Sequence, residues 1–320
     1  MPVPDNRHEF DTVPELSLNQ FTDGSSADRA EFSKRLWSGF QQFGFIILTD
    51  HKVNRDLLAE AYGASKAFFD QTEHEKMQSF VGKDGQRGYT PFGREHAKTS
   101  EVGDLKEFWH VGREFETGSS LADIYPPNVW PAWPGGFRDV FLKVFDALEE
   151  AGHVMLEALE PSLDVEPGYF RKMAFEGNSI LRLLHYPPIP DDADPRAVRA
   201  GAHEDINLIT ILVSADGSGL ELLTRDGEWL PVETDPDNLI VDAGDMLARL
   251  TNDVIPATTH RVVNPAGPNV SRYSMPFFMH PHRDAMLECL PSCLGDGAKY
   301  PPITADEFLK QRLREIGLTG

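Results

Sequence analysis

The segment Ala202-His203-Glu204-Asp205-Ile206-Asn207 lies in a region in which short β-prone runs alternate with turns. In an extended chain, residues i and i+2 point to the same side. The side chains of His203 and Asp205 are therefore predicted to share a face, while Glu204 points away. An imidazole and a carboxylate presented together are two ligands for one metal ion. The segment thus predicts a metal site on a β-rich scaffold.

The β-prone runs continue on both sides of this segment. Turn signals such as Asp216-Gly217 and Asp226-Gly227 separate several of them. The predicted strands cover 180–184, 208–213, 220–223, 239–241, 246–250, 260–263 and 272–278. Many short strands at this spacing favour a double-sheet sandwich or jelly roll.

Helical signals dominate the part of the chain before these strands. Apolar residues recur at helical spacing over 32–43, and a second helix is predicted over 55–70. The longest apolar stripe predicts a helix over 137–160 that Pro161 ends. The predicted fold class is therefore mainly β with helical support (α+β), a distorted jelly roll with a helix-rich N-terminal region.

A third metal ligand is expected from a distant strand. His260 lies in Thr258-Thr259-His260-Arg261-Val262-Val263, 57 positions after His203. Two histidines and one carboxylate leave up to three adjacent coordination positions open, which suits Fe(II) chemistry with O2 and an organic co-ligand. His110 and His185 are candidates to face the same pocket. An isolated H-x-D is a weak signal, and an ordinary surface or core role is assigned to six other histidines, His51, His74, His96, His153, His280 and His282.

A second polar pair follows His260 by 12 positions, in Arg272-Tyr273-Ser274. Because i and i+2 share a face, a guanidinium and a hydroxyl are predicted to point together and to grip a carboxylate. An inward arginine needs an anionic partner, since a buried unpaired charge is costly. The alternative is a salt bridge to an internal acid, but H-x-D, a distant histidine and R-x-S form a strong joint signal.

Composition narrows the class of partner. The net charge of −21 disfavours nucleic acid and anionic membranes, which are bound through clustered basic residues. No apolar run of 18 residues is present, which argues against a membrane span, and the N-terminus lacks a secretory signal pattern. Cys289 and Cys293 are expected to be free thiols in a reducing compartment. We therefore expect a cytoplasmic protein with a small-molecule substrate, and a monomer by default.

These motifs together resemble the isopenicillin N synthase-like family of non-haem Fe(II), 2-oxoglutarate-dependent oxygenases. The resemblance extends over most of the chain. Besides H-x-D, His260 and R-x-S, it is carried by Gly44-Phe45-Ile46 with Asp50-His51, Ala67-Phe68-Phe69 with Glu73, Glu75 and Lys76, Leu181-Arg-Leu-Leu-His-Tyr-Pro-Pro, and Gly244-Asp-Met-Leu with Thr251-Asn252.

The resemblance implies a role for each site residue. His203, Asp205 and His260 would hold Fe(II), and Arg272 and Ser274 would bind the far carboxylate of 2-oxoglutarate, with Tyr186 as a third donor. The reaction would consume O2 and 2-oxoglutarate, oxidise a small organic substrate, most often by hydroxylation, and release succinate and CO2. The substrate pocket is expected to draw on three segments, 87–98, 106–113 and 298–320.

The same resemblance implies a division of the chain into four parts. These are an N-terminal helical and β region (1–125), a long bracing helix with its connection (126–175), the jelly-roll core (176–285) and a C-terminal extension that packs on the core (286–320).

Two other functions stay open at this point. One is a 2-oxoglutarate-independent Fe(II) oxidase or cyclase of the isopenicillin N synthase type. The other is a non-catalytic β-sandwich that binds a small acid or a structural metal.

Overall fold

A computed structural model describes residues 9–82, 86–94, 102–115, 118–213 and 219–315. Its helices are α1 (Leu18–Thr22), α2 (Ser26–Phe43), α3 (Arg55–Phe69), α4 (Glu73–Met77), α5 (Phe137–Leu163), α6 (Tyr169–Ala174), α7 (Asp245–Leu250) and α8 (Ala305–Glu315), with a short 3-10 helix at Pro291–Cys293.

The strands form two sheets that face each other and one small hairpin-like pair. The large sheet has the order β1 (Glu15–Ser17), β2 (Phe45–Thr49), β10 (Leu239–Ala243), β7 (Ile209–Val213), β12 (Arg272–Met279), β5 (Ile180–Tyr186), β4 (Glu107–Gly112) and β3 (Gly88–Thr90). The small sheet has the order β6 (Ala200–His203), β11 (His260–Val262), β8 (Leu220–Leu223) and β9 (Trp229–Pro231), and β13 (Met286–Leu287) pairs with β14 (Ile303–Thr304). This double-sheet architecture with a helix-rich N-terminal region confirms the predicted fold class.

Strand pleat divides the large sheet into two functional faces. On β12, Tyr273, Met275 and Phe277 join the main hydrophobic core, which also contains the buried residues of α2, α3 and α5. Arg272 and Ser274, at alternate positions, point instead into the space between the two sheets. The helices therefore cover one face of the sheet, and the other face is left to build a site.

The helix starts follow local capping chemistry. Ser25 caps the start of α2 in a capping box. Its side chain accepts from the Asp28 backbone N–H, and the Asp28 carboxylate accepts from the Ser25 backbone N–H. Asn54 caps α3 by accepting from the Leu57 backbone N–H. Side-chain oxygens at this position satisfy backbone donors that have no partner within the helix.

Two local expectations are wrong. The run 246–250, predicted as a strand, is helix α7, because Met, Leu and Ala all favour helix and Asp245 provides a negative charge in its first turn. Helix α5 does not end at Pro161 but continues to Leu163 and stops at Asp164, which has a left-handed φ of 53°. A proline removes one helical hydrogen bond, and so close to the end of a helix that loss is tolerated.

The remaining strand predictions agree with the structure to within two residues at each end. The four-part division of the chain stays a prediction. The main core draws on residues from Leu16 to Phe308, so the N-terminal helices and the sheet are packed around one shared interior.

Candidate metal centre

Two paired strands of the small sheet bring the predicted metal ligands together. His203 is the last residue of β6 and His260 the first of β11, and the two are direct partners in the antiparallel register. Asp205 follows β6 by two residues. Its Oδ1 lies 3.7 Å from Nε2 of His203 and 4.0 Å from Nε2 of His260. Three donor atoms from two histidines and one carboxylate thus converge on one point.

Hydrogen bonds to neighbouring groups orient each donor. Nδ1 of His203 donates to the Gly201 carbonyl at 2.7 Å, and Nδ1 of His260 donates to the Thr258 carbonyl at 3.1 Å. With Nδ1 protonated, the Nε2 lone pair of each ring is left for a metal. The other carboxylate oxygen of Asp205, Oδ2, accepts from the Thr210 hydroxyl. The ligand set is therefore held in place by its own surroundings.

The surroundings of His203 favour its neutral form. Although 40% of its side chain is exposed, desolvation by the surrounding protein, reinforced by the nearby His260, lowers the pKa of His203 to about 4. The two rings have centroids 4.4 Å apart. Neutral imidazole is the form that binds a metal, so His203 does not need to lose a proton at neutral pH before binding.

Glu204, between the two ligands, takes no part in the cluster. Its side chain accepts from the Thr259 hydroxyl at 3.0 Å and lies 3.7 Å from the Arg312 guanidinium of α8. The sequence expectation that this residue points away from the metal side is met.

A buried cationic group lies on the large sheet and faces the space between the two sheets. Arg272 and Ser274 begin β12, pair with Tyr186 and Leu184 of β5, and are 3% and 2% exposed. The Arg272 guanidinium carbon is 5.2 Å from the centre of the Tyr186 ring. Nε and one terminal nitrogen of Arg272 are buried with no hydrogen-bond partner. Such orphaned donors fit an anion that is bound from outside the chain.

One cavity between the sheets contains all six predicted site residues. The residues that line it are Phe45, Lys106, Arg182, Leu184, Tyr186, Ala200, His203, Asp205, Thr210, Leu212, Leu220, Asp242, His260, Val262, Arg272, Ser274, Pro276 and Phe278.

Several lining residues were not foreseen. Arg182 lies four positions before Tyr186 on β5 and so on the same face, a period-2 signal that was available in the sequence. Its Nε donates to Nε2 of His110 at 2.6 Å, and its guanidinium carbon lies 4.2 Å from the centre of the Phe108 ring. Asp242 reaches the site through the pairing of β10 with β2 and β7, and burial together with Asp205 raises its pKa well above the ordinary value.

The three segments expected to form the pocket contribute unequally. Lys106, at the start of 106–113, lines the cavity, and its ammonium pairs with Asp104 at 2.8 Å. From 87–98 and 298–320, none of the described residues is among the lining groups; residues 95–98 and 316–320 lie outside the described part of the chain. His185 faces the helices instead, where its Nδ1 donates to Glu107 at 2.7 Å.

The fold and the site define a double-sheet scaffold with a group of two histidines and one carboxylate that could hold a metal ion. Family models agree with this description. Residues 177–281 match the 2OG-Fe(II) oxygenase superfamily, and residues 13–133 match the N-terminal region described as non-haem dioxygenase in morphine synthesis. A 2-oxoglutarate-Fe(II) type oxidoreductase of Emericella nidulans is 31% identical over 93% of this chain and 88% of its own length.

Solved structures give the same result. A 2OG-Fe(II) oxygenase family protein from Caulobacter crescentus is 42% identical, with 95% of this chain and 99% of that chain covered and a TM-score of 0.87. A full-length Neurospora crassa protein in complex with alpha-KG and thymine is 29% identical, with 94% and 96% covered and a TM-score of 0.84. The chain belongs to the 2OG-Fe(II) oxygenase superfamily, and it is a non-haem oxygenase that uses Fe(II), 2-oxoglutarate and O2.

The donor chemistry of the cavity fits these cofactors. Two imidazoles and one carboxylate are the ligand types that non-haem Fe(II) prefers, and the buried, orphaned Arg272 donors fit a carboxylate. Within the described residues, no helix combines the length and the apolar character that crossing a membrane requires.

Proposed function

We propose that His203, Asp205 and His260 bind Fe(II), and that Arg272 and Ser274, with Tyr186 as a third donor, bind the far carboxylate of 2-oxoglutarate. One observation carries this assignment. A three-donor metal group and a buried arginine with orphaned donors line the same cavity, at opposite sheets. A dicarboxylate that reaches from the metal to the arginine would satisfy both.

Bound Fe(II) and 2-oxoglutarate supply the O2 activation, which no protein side chain can provide. The chain's own residues hold the proposed metal ligands in place and orient them. Gly201 and Thr258 fix the two imidazoles through their carbonyls, and Thr210 fixes the carboxylate of Asp205. Burial of Arg272 strengthens its attraction for a carboxylate, because water does not screen the charge.

We further propose that the reaction is hydroxylation of a small organic substrate. The support comes from relatives, since the Neurospora crassa protein has been solved with thymine, and a 29% identical relative from Petromyces alliaceus is a proline hydroxylase. The apolar rings of Phe45 and Phe278 and the cations Lys106 and Arg182 are the groups in the cavity that such a substrate would meet. The net charge of −21 disfavours nucleic acid as a substrate. A monomer in the cytoplasm remains the expected state.

Metal binding tests the first assignment. Asp205→Ala should lower Fe(II) affinity by at least about 100-fold and abolish Fe(II)-dependent succinate formation, because one of three ligands is lost. Metal content after anaerobic dialysis measures this directly. The matched control is Glu204→Ala, which removes the carboxylate next door and should keep the metal. Equal metal retention in the two variants would refute the ligand assignment.

Co-substrate binding tests the second assignment. Arg272→Gln should weaken 2-oxoglutarate binding by about 30- to 150-fold while it leaves the metal bound, since a charge-assisted bidentate pair is worth about 2–3 kcal/mol. Isothermal titration of Mn(II) into the metal-free protein measures the dissociation constant of the metal. Titration of 2-oxoglutarate into the Mn(II)-loaded protein under nitrogen measures that of the co-substrate. Unchanged 2-oxoglutarate affinity would place the co-substrate elsewhere.

Product analysis distinguishes this reaction from the two alternatives that the sequence alone left. A 2-oxoglutarate-independent oxidase would consume O2 with substrate alone, and a non-catalytic binding protein would consume none. The family assignment predicts instead that succinate forms only with Fe(II), O2 and 2-oxoglutarate together. Candidate substrates, with thymine and proline among the first, are screened by that succinate yield, and a mass gain of one oxygen from 18O2 separates hydroxylation from desaturation or cyclisation.

A further inference from the structure

Arg199 is a second buried arginine beside the proposed carboxylate site. It is 3% exposed and directly precedes Ala200, which lines the cavity at the start of β6. One terminal nitrogen donates to the Val270 carbonyl at 2.6 Å, two residues before Arg272. Its Nε is buried with no partner, as are two nitrogens of Arg272.

The two arginines lack the compensation that other buried cations of this protein have. The ammonium of Lys76 lies 2.7 Å from Glu107, and that of Lys106 lies 2.8 Å from Asp104. Among the described residues, no carboxylate is within ion-pair distance of either Arg199 or Arg272. Burial, and then the charge of Arg272, lower the pKa of Arg199.

Two buried charges of the same sign repel each other and cost free energy unless an anion lies between or beside them. The chain itself provides none in the part that the structure describes. A bound dicarboxylate would provide one, because its far carboxylate would be attracted by both guanidinium groups.

We propose that Arg199 is a positioning residue of the 2-oxoglutarate site, which adds a second positive charge and anchors the start of β12 through Val270. This inference rests on the proposed function, in which Arg272 contacts the far carboxylate. Arg199 acts on the co-substrate through its charge and through the placement of Arg272, and it takes no part in the chemical step.

The test compares ligands that differ only in far-end charge. Titrations of the Mn(II)-loaded protein under nitrogen use 2-oxoglutarate and its 5-methyl ester, which is neutral at that end. Arg199→Gln should weaken 2-oxoglutarate about tenfold and the ester less than twofold, whereas metal affinity stays unchanged. In turnover, KM for 2-oxoglutarate should rise with little change in kcat. A merely structural role would weaken both ligands alike, which would overturn the proposal.

The matched control is Arg196→Gln. Arg196 lies three residues earlier, has a side chain that is 70% exposed, and pairs with Asp194 at 2.7 Å. Its substitution removes the same charge from the same segment and should leave 2-oxoglutarate affinity within twofold. An equal loss in both variants would mean that general surface charge is responsible, and the proposal would then fail.

A second variant covers the case in which Arg199→Gln does not fold. Arg199→Lys keeps the charge and should bind 2-oxoglutarate within about threefold of the native protein, with its discrimination against the 5-methyl ester retained. A tenfold loss in this variant would show that the fork of the guanidinium, not its charge, matters, and would overturn the proposal. If the native protein did not bind 2-oxoglutarate at all, the proposed function itself would fail, which is a separate outcome.

Discussion

A buried charge network between α4 and the large sheet gives the sharpest stability prediction. Glu107 on β4 is 3% exposed and accepts hydrogen bonds from Lys76 of α4 at 2.7 and 2.9 Å, from the Tyr89 hydroxyl, and from Nδ1 of His185 at 2.7 Å. Although burial raises it, the bonds from His185, Lys76 and Tyr89 hold the pKa of Glu107 below its ordinary value. The network ties helix α4 to the three neighbouring strands β3, β4 and β5.

Glu107→Gln keeps the shape of the side chain and removes its charge. The Lys76 ammonium would then be buried without a counter-charge, and the new amide N–H would face groups that are themselves donors. Breaking a buried ion pair from one side costs about 3–5 kcal/mol. With an unfolding entropy of roughly 2.1 cal/mol/K per residue, this lowers Tm by about 4–8 °C for a chain of 320 residues.

Thermal and urea unfolding measure this loss, and a double-mutant cycle identifies its cause. Lys76→Met alone should cost a similar amount, because it leaves Glu107 without its cation. The double variant should then be far more stable than the sum of the two losses predicts. Glu60→Gln, an exposed substitution in α3, is the control and should change Tm by less than about 1 °C. Additive losses, or a Glu107→Gln protein that unfolds like the control, would refute the argument.

Two further predictions concern glycine positions and acid sensitivity. Gly112→Ala should lower the free energy of unfolding, measured in urea, by about 1–3 kcal/mol, because the new Cβ would overlap the buried Arg87 guanidinium. Gly63→Ala lies in the middle of α3 with no atom within 4 Å of the new Cβ, and should raise that free energy by about 0.5–1 kcal/mol. Burial, and then Arg171, lower the pKa of His153 below its ordinary 6.5. The folded state therefore disfavours the protonated ring, so native stability should fall as pH drops below 6.5, and His153→Leu should remove part of that fall between pH 8 and pH 5. Equal pH profiles of the two proteins would contradict the second prediction.

The period-2 geometry of strands accounts for what local sequence could predict. Arg272 and Ser274 share a face because alternate residues of any strand do, and the structure places both in the cavity. His203 and Asp205 converge as expected although only the first belongs to a strand. Where local preferences and the strand pattern disagreed, as at 246–250, helix propensity decided the outcome.

The choice of His260 from the sequence depended on the joint pattern and on resemblance, since nothing local fixes its partner. Only the antiparallel register of β6 and β11 places it opposite His203. The same holds for Lys106, Arg182 and Asp242, whose places in the cavity depend on strands that are far apart in the chain.

The sequence by itself determined the ligand types, their order and their sides of the strands, because these follow from residue identity and backbone pleat. The tertiary structure decided which distant groups meet. It brought Arg199 close enough to Arg272 for their charges to interact, with a hydrogen bond from Arg199 to the Val270 carbonyl. It also gave Glu107 its three hydrogen-bond partners. Such contacts arise from strand pairing and helix packing across the whole chain, which no short segment encodes.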